Sequence, residues 1–173
     1  MRGKTLRGCA LRAKKTPDTD ELPKFSVTRR VEFSPEQIYA VVSDVASYKD
    51  FLPLIERSTV RGRKPTVDGV EKFSADLVVA YHPLRIQEEF LSQVEADANK
   101  RLVTTVSTGA AVKKLHGSWQ IEALGPNSSD IHFSVDYEMK SMMLQMLMSG
   151  MFDSAVRKIM NAFEARATKL YSA

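Results

Sequence analysis

Hydrophobic and polar residues alternate over the first regular stretch of the chain, KFSVTRRVEF at residues 24 to 33. Alternation with a period of two is typical of a β-strand that buries one face. The apolar phase of this stretch contains Phe25, Val27, Val31 and Phe33. Arg29 shares that phase, so the predicted strand directs one cation toward its buried side.

Two short helices are predicted directly after this strand. Ser34 and Pro35 suit the N-cap and the first helical position, and apolar residues recur on one helical face of SPEQIYAVVSD. The next stretch, VASYKDFLPLI, predicts a second helical piece. That piece must end at Leu52, because Pro53 disfavours the helical conformation of the residue before it.

Six further strands are predicted in series, with short connections between them. They cover residues 56–63, 70–81, 84–95, 101–108, 115–124 and 130–139. The connections KPTVDG, HP, EADANK, GAAVKK and GPNSSD are rich in turn-forming residues. Strands joined by so few residues are antiparallel neighbours, so the sequence predicts an antiparallel sheet.

The last predicted element is one long helix over residues 141–171, and its two halves differ in character. The second half carries a single apolar stripe, which is typical of a helix that packs on a sheet. The first half lies in MKSMMLQMLMSGMF, residues 139–152, which holds six of the eight methionines and is apolar almost all the way round. A helix that is apolar on every side has more than one apolar partner.

Several partners suit the second apolar face of this methionine-rich half. They are a bound ligand, a second protein such as another copy in a homodimer, and a membrane surface, because methionine adapts to irregular apolar shapes. The alternative is that the two short helices and an edge loop bury this face. The residues of this half that the alternatives concern are Met142, Met143, Met146, Leu147 and Met151.

Composition and charge narrow the class of protein. Cys9 is the only cysteine, so the sequence predicts no disulfide and a reducing compartment. No run of eighteen apolar residues occurs, so no bilayer-spanning helix is expected. Most of the net charge of +4 lies in residues 1–22, and the nearly neutral remainder lacks the basic stripe of a DNA-binding protein.

Residues 1–22 are predicted to be a separate basic tail. The first seventeen residues contain no Asp or Glu, a composition that suits an organellar targeting segment. A disordered basic tail or a misassigned start site explains the same composition. Residues 23–173 then form a single domain, whose length suffices for a stable core.

The sequence predicts neither a catalytic site nor a metal site. His82, His116 and His132 lie on different predicted strands without metal-ligand spacing, and the chain lacks a phosphate-binding glycine loop and the GxSxG and HExxH motifs. Glu88 shares the apolar phase of its strand, and a carboxylate there must be paired, hydrogen-bonded or protonated. We expect Arg29 and Glu88 to pair as polar anchors for a ligand oxygen, or as an ion pair at the sheet rim.

Several segments together carry a family resemblance: LPKFSVTRRV, VVSDVASYKDFLPLI and IHFSVDYEMKSMMLQMLMSGMFDSAVRKIMNAFEARATKLY. They resemble the coenzyme Q-binding START-domain family, which is related to the ribosome association toxin family and to the polyketide cyclase/dehydrase-like superfamily. The resemblance covers about residues 23–171. One departure is that Gly109, Ala110 and Ala111 stand where the family tends to have Gly-Pro-Phe.

The order of elements and this resemblance imply an α+β helix-grip fold (START/Bet v 1-like), in which a curved antiparallel sheet wraps the long helix. The resemblance further implies ubiquinone or a similar polyprenyl lipid in a cavity, no catalysis, and support of respiratory electron transport. It places the protein at the cytoplasmic face of a bacterial inner membrane or the matrix side of the mitochondrial inner membrane. The expected ligand-binding residues are Tyr48, Phe51, Leu52, Pro53, Tyr81, Phe90, Trp119, Tyr137, Phe152 and Val156. The resemblance also implies that the methionine-rich start of the long helix is both lid and membrane-facing surface, through Met142, Met143, Met146, Leu147 and Met151.

Two alternatives remain open at this point. A ribosome-binding growth regulator of the toxin type would need a basic surface, and RSTVRGRK at residues 57–64 is the best candidate. A polyketide cyclase or aromatase would use acid and base groups in the cavity, for which the sequence offers Glu88, Arg29 and Tyr137.

Overall fold

The computed structural model describes residues 24–66 and 68–172, which form one sheet, three helices and two single 3-10 turns. The strands are β1 (Lys24–Val31), β2 (Ile55–Pro65), β3 (Val70–Tyr81), β4 (Ile86–Asp97), β5 (Leu102–Gly109), β6 (Val112–Gly125) and β7 (Ser128–Met139). The helices are α1 (Pro35–Ser43), α2 (Tyr48–Phe51) and α3 (Met142–Tyr171). The predicted tail, residues 1–22, lies outside the described residues.

All seven strands form one antiparallel sheet in the order β1-β7-β6-β5-β4-β3-β2. Six strands follow one another as a meander, and β1 joins the open edge of β7. The sheet curves around α3, so its concave side and the helix enclose the core. This is the α+β helix-grip layout that the sequence predicts.

The start of α1 follows directly from its capping residues. The Gln37 backbone N–H donates to Ser34 Oγ at 3.2 Å, and the Ser34 N–H donates to Gln37 Oε1 at 3.0 Å. This reciprocal capping box satisfies two amides that the first helical turn leaves without partners. Pro35 begins the helix, as predicted.

The second half of α3 lies against the concave side of the sheet. Val156, Met160, Phe163 and Ala167 are its buried residues, and they repeat at helical spacing. Phe163 packs on Trp119 of β6, with ring centroids 4.7 Å apart. Each such contact buries a large apolar surface, so this half of α3 is firmly anchored in the core.

A few element boundaries differ from the prediction. β6 begins at Val112 instead of residue 115, because pairing of Val112 with Met139 extends the ladder past the lysines. Residues His82–Leu84 form a 3-10 turn between β3 and β4. None of the described helices is long and apolar enough to cross a membrane.

Candidate functional site

An apolar cavity of about 230 Å³ lies between the concave side of the sheet and the helices. Strands β2 to β7 supply its floor, and α2, α3 and the residues just before and after α2 supply its roof. Its lining residues are Val45, Tyr48, Leu52, Ile55, Leu77, Ser92, Val94, Val103, Thr105, Ser107, Leu115, Gly117, Trp119, Phe133, Val135, Ile159 and Phe163. Such a cavity suits an apolar ligand with few polar groups.

The cavity exists partly because of one glycine in the sheet. Thr105 of β5 and Gly117 of β6 are direct cross-strand neighbours. A Cβ atom at position 117 would lie 2.6 Å from Thr105 Oγ1, which is far inside a normal contact distance. Gly117 therefore leaves room beside the Thr105 hydroxyl, on the face that lines the cavity.

Two buried serines form the polar part of the cavity wall. Ser92 of β4 and Ser107 of β5 are cross-strand partners, and their Oγ atoms lie 2.7 Å apart in a hydrogen bond. Ser92 is 2% exposed and Ser107 is 6% exposed. The pair is a hydrogen-bonding group inside an otherwise apolar space.

Aromatic rings close the roof of the cavity. The Tyr48 ring packs edge-on against Phe163, with centroids 5.4 Å apart, and Phe51 lies behind both rings. The Tyr48 hydroxyl donates to the Val42 carbonyl oxygen at 2.5 Å. Burial raises the pKa of this phenol, so the hydroxyl stays protonated. Its proton is already committed to the hydrogen bond with Val42.

The structure brings only some of the predicted ligand-binding residues to the cavity. Tyr48, Leu52 and Trp119 line it. The remaining predicted residues do not line this cavity: Phe51, Pro53, Tyr81, Phe90, Tyr137, Phe152 and Val156.

Those residues lie in different parts of the structure. Phe51 backs the aromatic roof, and Tyr137, Phe152 and Val156 belong to the neighbouring core, where Tyr137 stacks on Phe152 with centroids 4.9 Å apart. Pro53 is exposed. Tyr81 and Phe90 are half-buried.

The predicted pair of Arg29 and Glu88 is wrong. Arg29 donates instead to Glu164, and also to Asn161 Oδ1 at 2.8 Å, both on α3. Arg29 lies on β1 and Glu88 lies on β4, and strands β7, β6 and β5 separate the two. Arg29 therefore cannot reach Glu88. Glu88 does lie on the predicted phase, half-buried in line with Phe90 and Ser92.

The first turns of α3 carry an exposed apolar surface, which we call the methionine face and define as Met142, Met143 and Met146. Their exposures are 80%, 77% and 74%. Leu147 and Met151 are half-buried beside them. The alternative in which the short helices bury these residues is therefore wrong for the three methionines.

Two polar contacts hold the start of α3 to the sheet. The Met139 backbone N–H donates to Gln145 Oε1 at 2.9 Å, and the hydroxyls of Tyr137 and Ser149 are 3.2 Å apart. Gln145 Nε2 is buried and has no hydrogen-bond partner within the described residues. This end of the helix is thus attached by few interactions.

Acid and base groups are scarce around the cavity. Its lining contains no carboxylate, histidine, lysine or arginine among the described residues. Within residues 24–66 and 68–172, no cluster of His, Asp and Glu could hold a metal ion. The arrangement suits binding of an uncharged ligand.

Comparison with known proteins identifies a family to which the chain is similar. The profile of the family described as polyketide cyclase / dehydrase and lipid transport matches residues 31–164. The chain is 28% identical to the mitochondrial coenzyme Q-binding protein COQ10 of Dictyostelium discoideum, over 88% of this chain and 73% of that protein. It is also 28% identical to the ribosome association toxin RatA of Escherichia coli K12, over 88% of this chain and 91% of that protein.

A solved structure supports the fold. A START superfamily protein from Mycobacterium smegmatis superposes with a TM-score of 0.73 at 24% identity, covering 85% of this chain and 98% of that chain. The helix-grip fold predicted from the order of elements is therefore confirmed. The predicted relationship to the coenzyme Q-binding and toxin families is also confirmed.

Proposed function

Because this chain belongs to the polyketide cyclase/dehydrase and lipid transport family, we propose that it binds ubiquinone or a similar polyprenyl lipid and carries it without catalysis. The apolar cavity under α3 is the observation that carries this proposal. The relative from Dictyostelium discoideum, whose name states coenzyme Q binding, supports the choice of ligand. In this role the protein supports respiratory electron transport as a lipid chaperone.

The size of the cavity determines which part of the lipid it holds. An apolar cavity of about 150 Å³ accommodates a benzene ring, so about 230 Å³ holds a substituted ring and little more. A polyprenyl tail is much longer than this space. We therefore place the ring inside the cavity and the tail outside it.

The methionine face gives the tail and the membrane an apolar contact. Met142, Met143 and Met146 are at least 74% exposed, and a contiguous exposed apolar patch commonly marks an interaction site. A polyprenyl lipid does not exchange through water, so loading takes place at a membrane. The proposed location is a quinone-containing membrane, either the bacterial inner membrane or the mitochondrial inner membrane.

The absence of acid-base groups from the described cavity lining supports a carrier rather than a cyclase. General acid-base catalysis needs a titratable group within hydrogen-bonding reach of the substrate. Tyr48 is the only phenol in the lining, and its hydroxyl already donates to the Val42 carbonyl.

A ribosome-binding growth regulator remains the second candidate, because the similarity to RatA covers 91% of that protein. RNA binding needs basic side chains that are free to meet phosphates. Three candidates on β2 instead form ion pairs: Arg57 with Glu89, Arg61 with Asp76 and Arg63 with Glu71. These pairs reduce the positive field of this edge and favour the lipid carrier.

The direct test is to purify the protein from cells that make ubiquinone and to identify the co-purifying lipid by extraction and mass spectrometry. We expect close to one quinone per protein molecule. An empty or phospholipid-filled cavity, with the protein sedimenting alongside ribosomal subunits in a gradient, would contradict the proposal and favour the growth regulator.

A further inference from the structure

The two cavity serines carry one more hydroxyl proton than their own hydrogen bond uses. Each hydroxyl has one proton to donate, and the bond between Ser92 Oγ and Ser107 Oγ uses one of the two. Within residues 24–66 and 68–172, neither hydroxyl has another side-chain hydrogen bond. One O–H therefore has no acceptor in the described protein.

The position of this spare proton matters because both serines are more than nine-tenths buried and line the cavity. A buried hydroxyl without an acceptor destabilises the protein, because it loses the hydrogen bond that it made to water. The surrounding wall is apolar. A ligand atom in the cavity is the available acceptor.

Thr105 supplies a second donor on the same wall. It lies two residues from Ser107 on β5, on the same face of the strand, at a spacing of roughly 7 Å. Its hydroxyl lines the cavity beside the space that Gly117 leaves. It makes no hydrogen bond within the described chain.

We infer that Ser92, Ser107 and Thr105 form the polar subsite of the cavity, and that this subsite selects rings carrying hydrogen-bond-accepting carbonyl or ether oxygens over hydrocarbon rings of the same shape. This rests on the proposed function for the placement of the ring in the cavity. A ring with acceptor oxygens at opposite ends reaches both donors, as a para-quinone does. The subsite takes the role that the sequence had assigned to Arg29 and Glu88.

The test uses two small rings of nearly equal shape, acetophenone with its carbonyl and isopropylbenzene without one. Their affinities are measured by calorimetric titration for the wild type and for the Ser92→Ala/Ser107→Ala variant. Removing both partners of a buried hydrogen bond leaves no unsatisfied group, so the variant should fold normally. We expect the preference for acetophenone to fall roughly tenfold, the equivalent of one hydrogen bond.

Two further variants distinguish loss of the polar subsite from general effects of replacing serines in the sheet. Ser107→Ala alone leaves Ser92 with a free proton, so the preference should be largely kept. The Ser118→Ala/Ser134→Ala variant removes a second cross-strand serine pair on the opposite face of the sheet, and it should match the wild type.

A one-isoprene ubiquinone analogue, titrated in parallel, distinguishes this inference from the proposed function. If the analogue binds but the double serine variant keeps its full preference for acetophenone, the subsite is wrong and the carrier function stands. If the preference for acetophenone depends on the serines but the analogue does not bind, the inferred subsite is supported and the proposed quinone ligand is wrong. A wild type without any preference between the two rings overturns the subsite.

Discussion

Gly117 is the residue on which the volume of the cavity depends most directly. In a Gly117→Ala variant the new methyl would lie 2.6 Å from Thr105 Oγ1, so the threonine side chain or the strand must shift at the cavity wall. Overpacking of this kind costs about 1–3 kcal/mol. We expect affinity for the one-isoprene ubiquinone analogue to fall roughly tenfold or more, measured by calorimetry.

Gly125 provides the matched control on the same strand. A Cβ atom there meets nothing within 4 Å, so Gly125→Ala should bind the analogue like the wild type. Equal affinity in both glycine variants would show that ligand does not occupy the space beside Thr105.

The sequence predicts side-chain direction better than it predicts partners. Arg29 and Glu88 both lie on the phases that alternation assigns to them, yet they lie in distant parts of the sheet. The partner of Arg29, Glu164, is 135 positions away on α3, and a local pattern carries no information on such a pairing. The sequence could have placed Ser92 on the buried face of its strand, because Ser92 shares the phase of Phe90 and Val94. Serine on a strand, however, usually indicates a solvent-exposed position.

At the scale of the element, α3 combines an anchored half with an exposed half. A Met143→Glu/Met146→Glu variant changes two residues that are 77% and 74% exposed, so the fold should be preserved. Loss of apolar contact and burial of charge oppose insertion into a bilayer. We expect binding to quinone-containing vesicles to weaken at least about tenfold, measured by flotation.

The other end of the same helix supplies the control for this experiment. Leu170 and Tyr171 are also exposed apolar residues, at 49% and 37%. A Leu170→Glu/Tyr171→Glu variant adds the same charge to α3 and should float with vesicles like the wild type. Undiminished flotation of the methionine variant would exclude a membrane role for the methionine face.

At the scale of the whole molecule, α3 joins a second half that is buried in the core to a first half that is more exposed. Val156, Met160 and Phe163 are each 2% exposed, and Arg29 ties the same half of the helix to β1. The first turns have few such contacts, and regions with few buried contacts open at lower free energy. Amides of residues 156–167 should exchange hydrogen far more slowly than those of residues 146–151.

Addition of the ubiquinone analogue completes this measurement. If the start of α3 covers the loaded cavity, ligand should slow exchange there and leave the already protected second half nearly unchanged. Uniform exchange along α3 in the free protein would contradict the division of this helix into a weakly held first half and an anchored second half.

The overall architecture could be predicted from the sequence, because periodicity, capping residues and turn residues all favour the same elements. Ser34 with Pro35 indicates the start of α1, and Pro53 indicates the end of α2. The cavity was harder to predict, because its lining comes from six strands and three helical segments whose register only the folded sheet defines. Gly117 illustrates this, since its importance depends entirely on its cross-strand neighbour, Thr105.

Trp119 is also an optical reporter of the cavity. It is the only tryptophan in the chain, it lines the cavity, and its ring centroid lies 4.2 Å from that of Phe133 and 4.7 Å from that of Phe163. All indole emission therefore originates at the cavity wall, and arrival of a light-absorbing quinone ring should quench it. The unlabelled protein thus allows loading from a vesicle, and release to another, to be followed in real time.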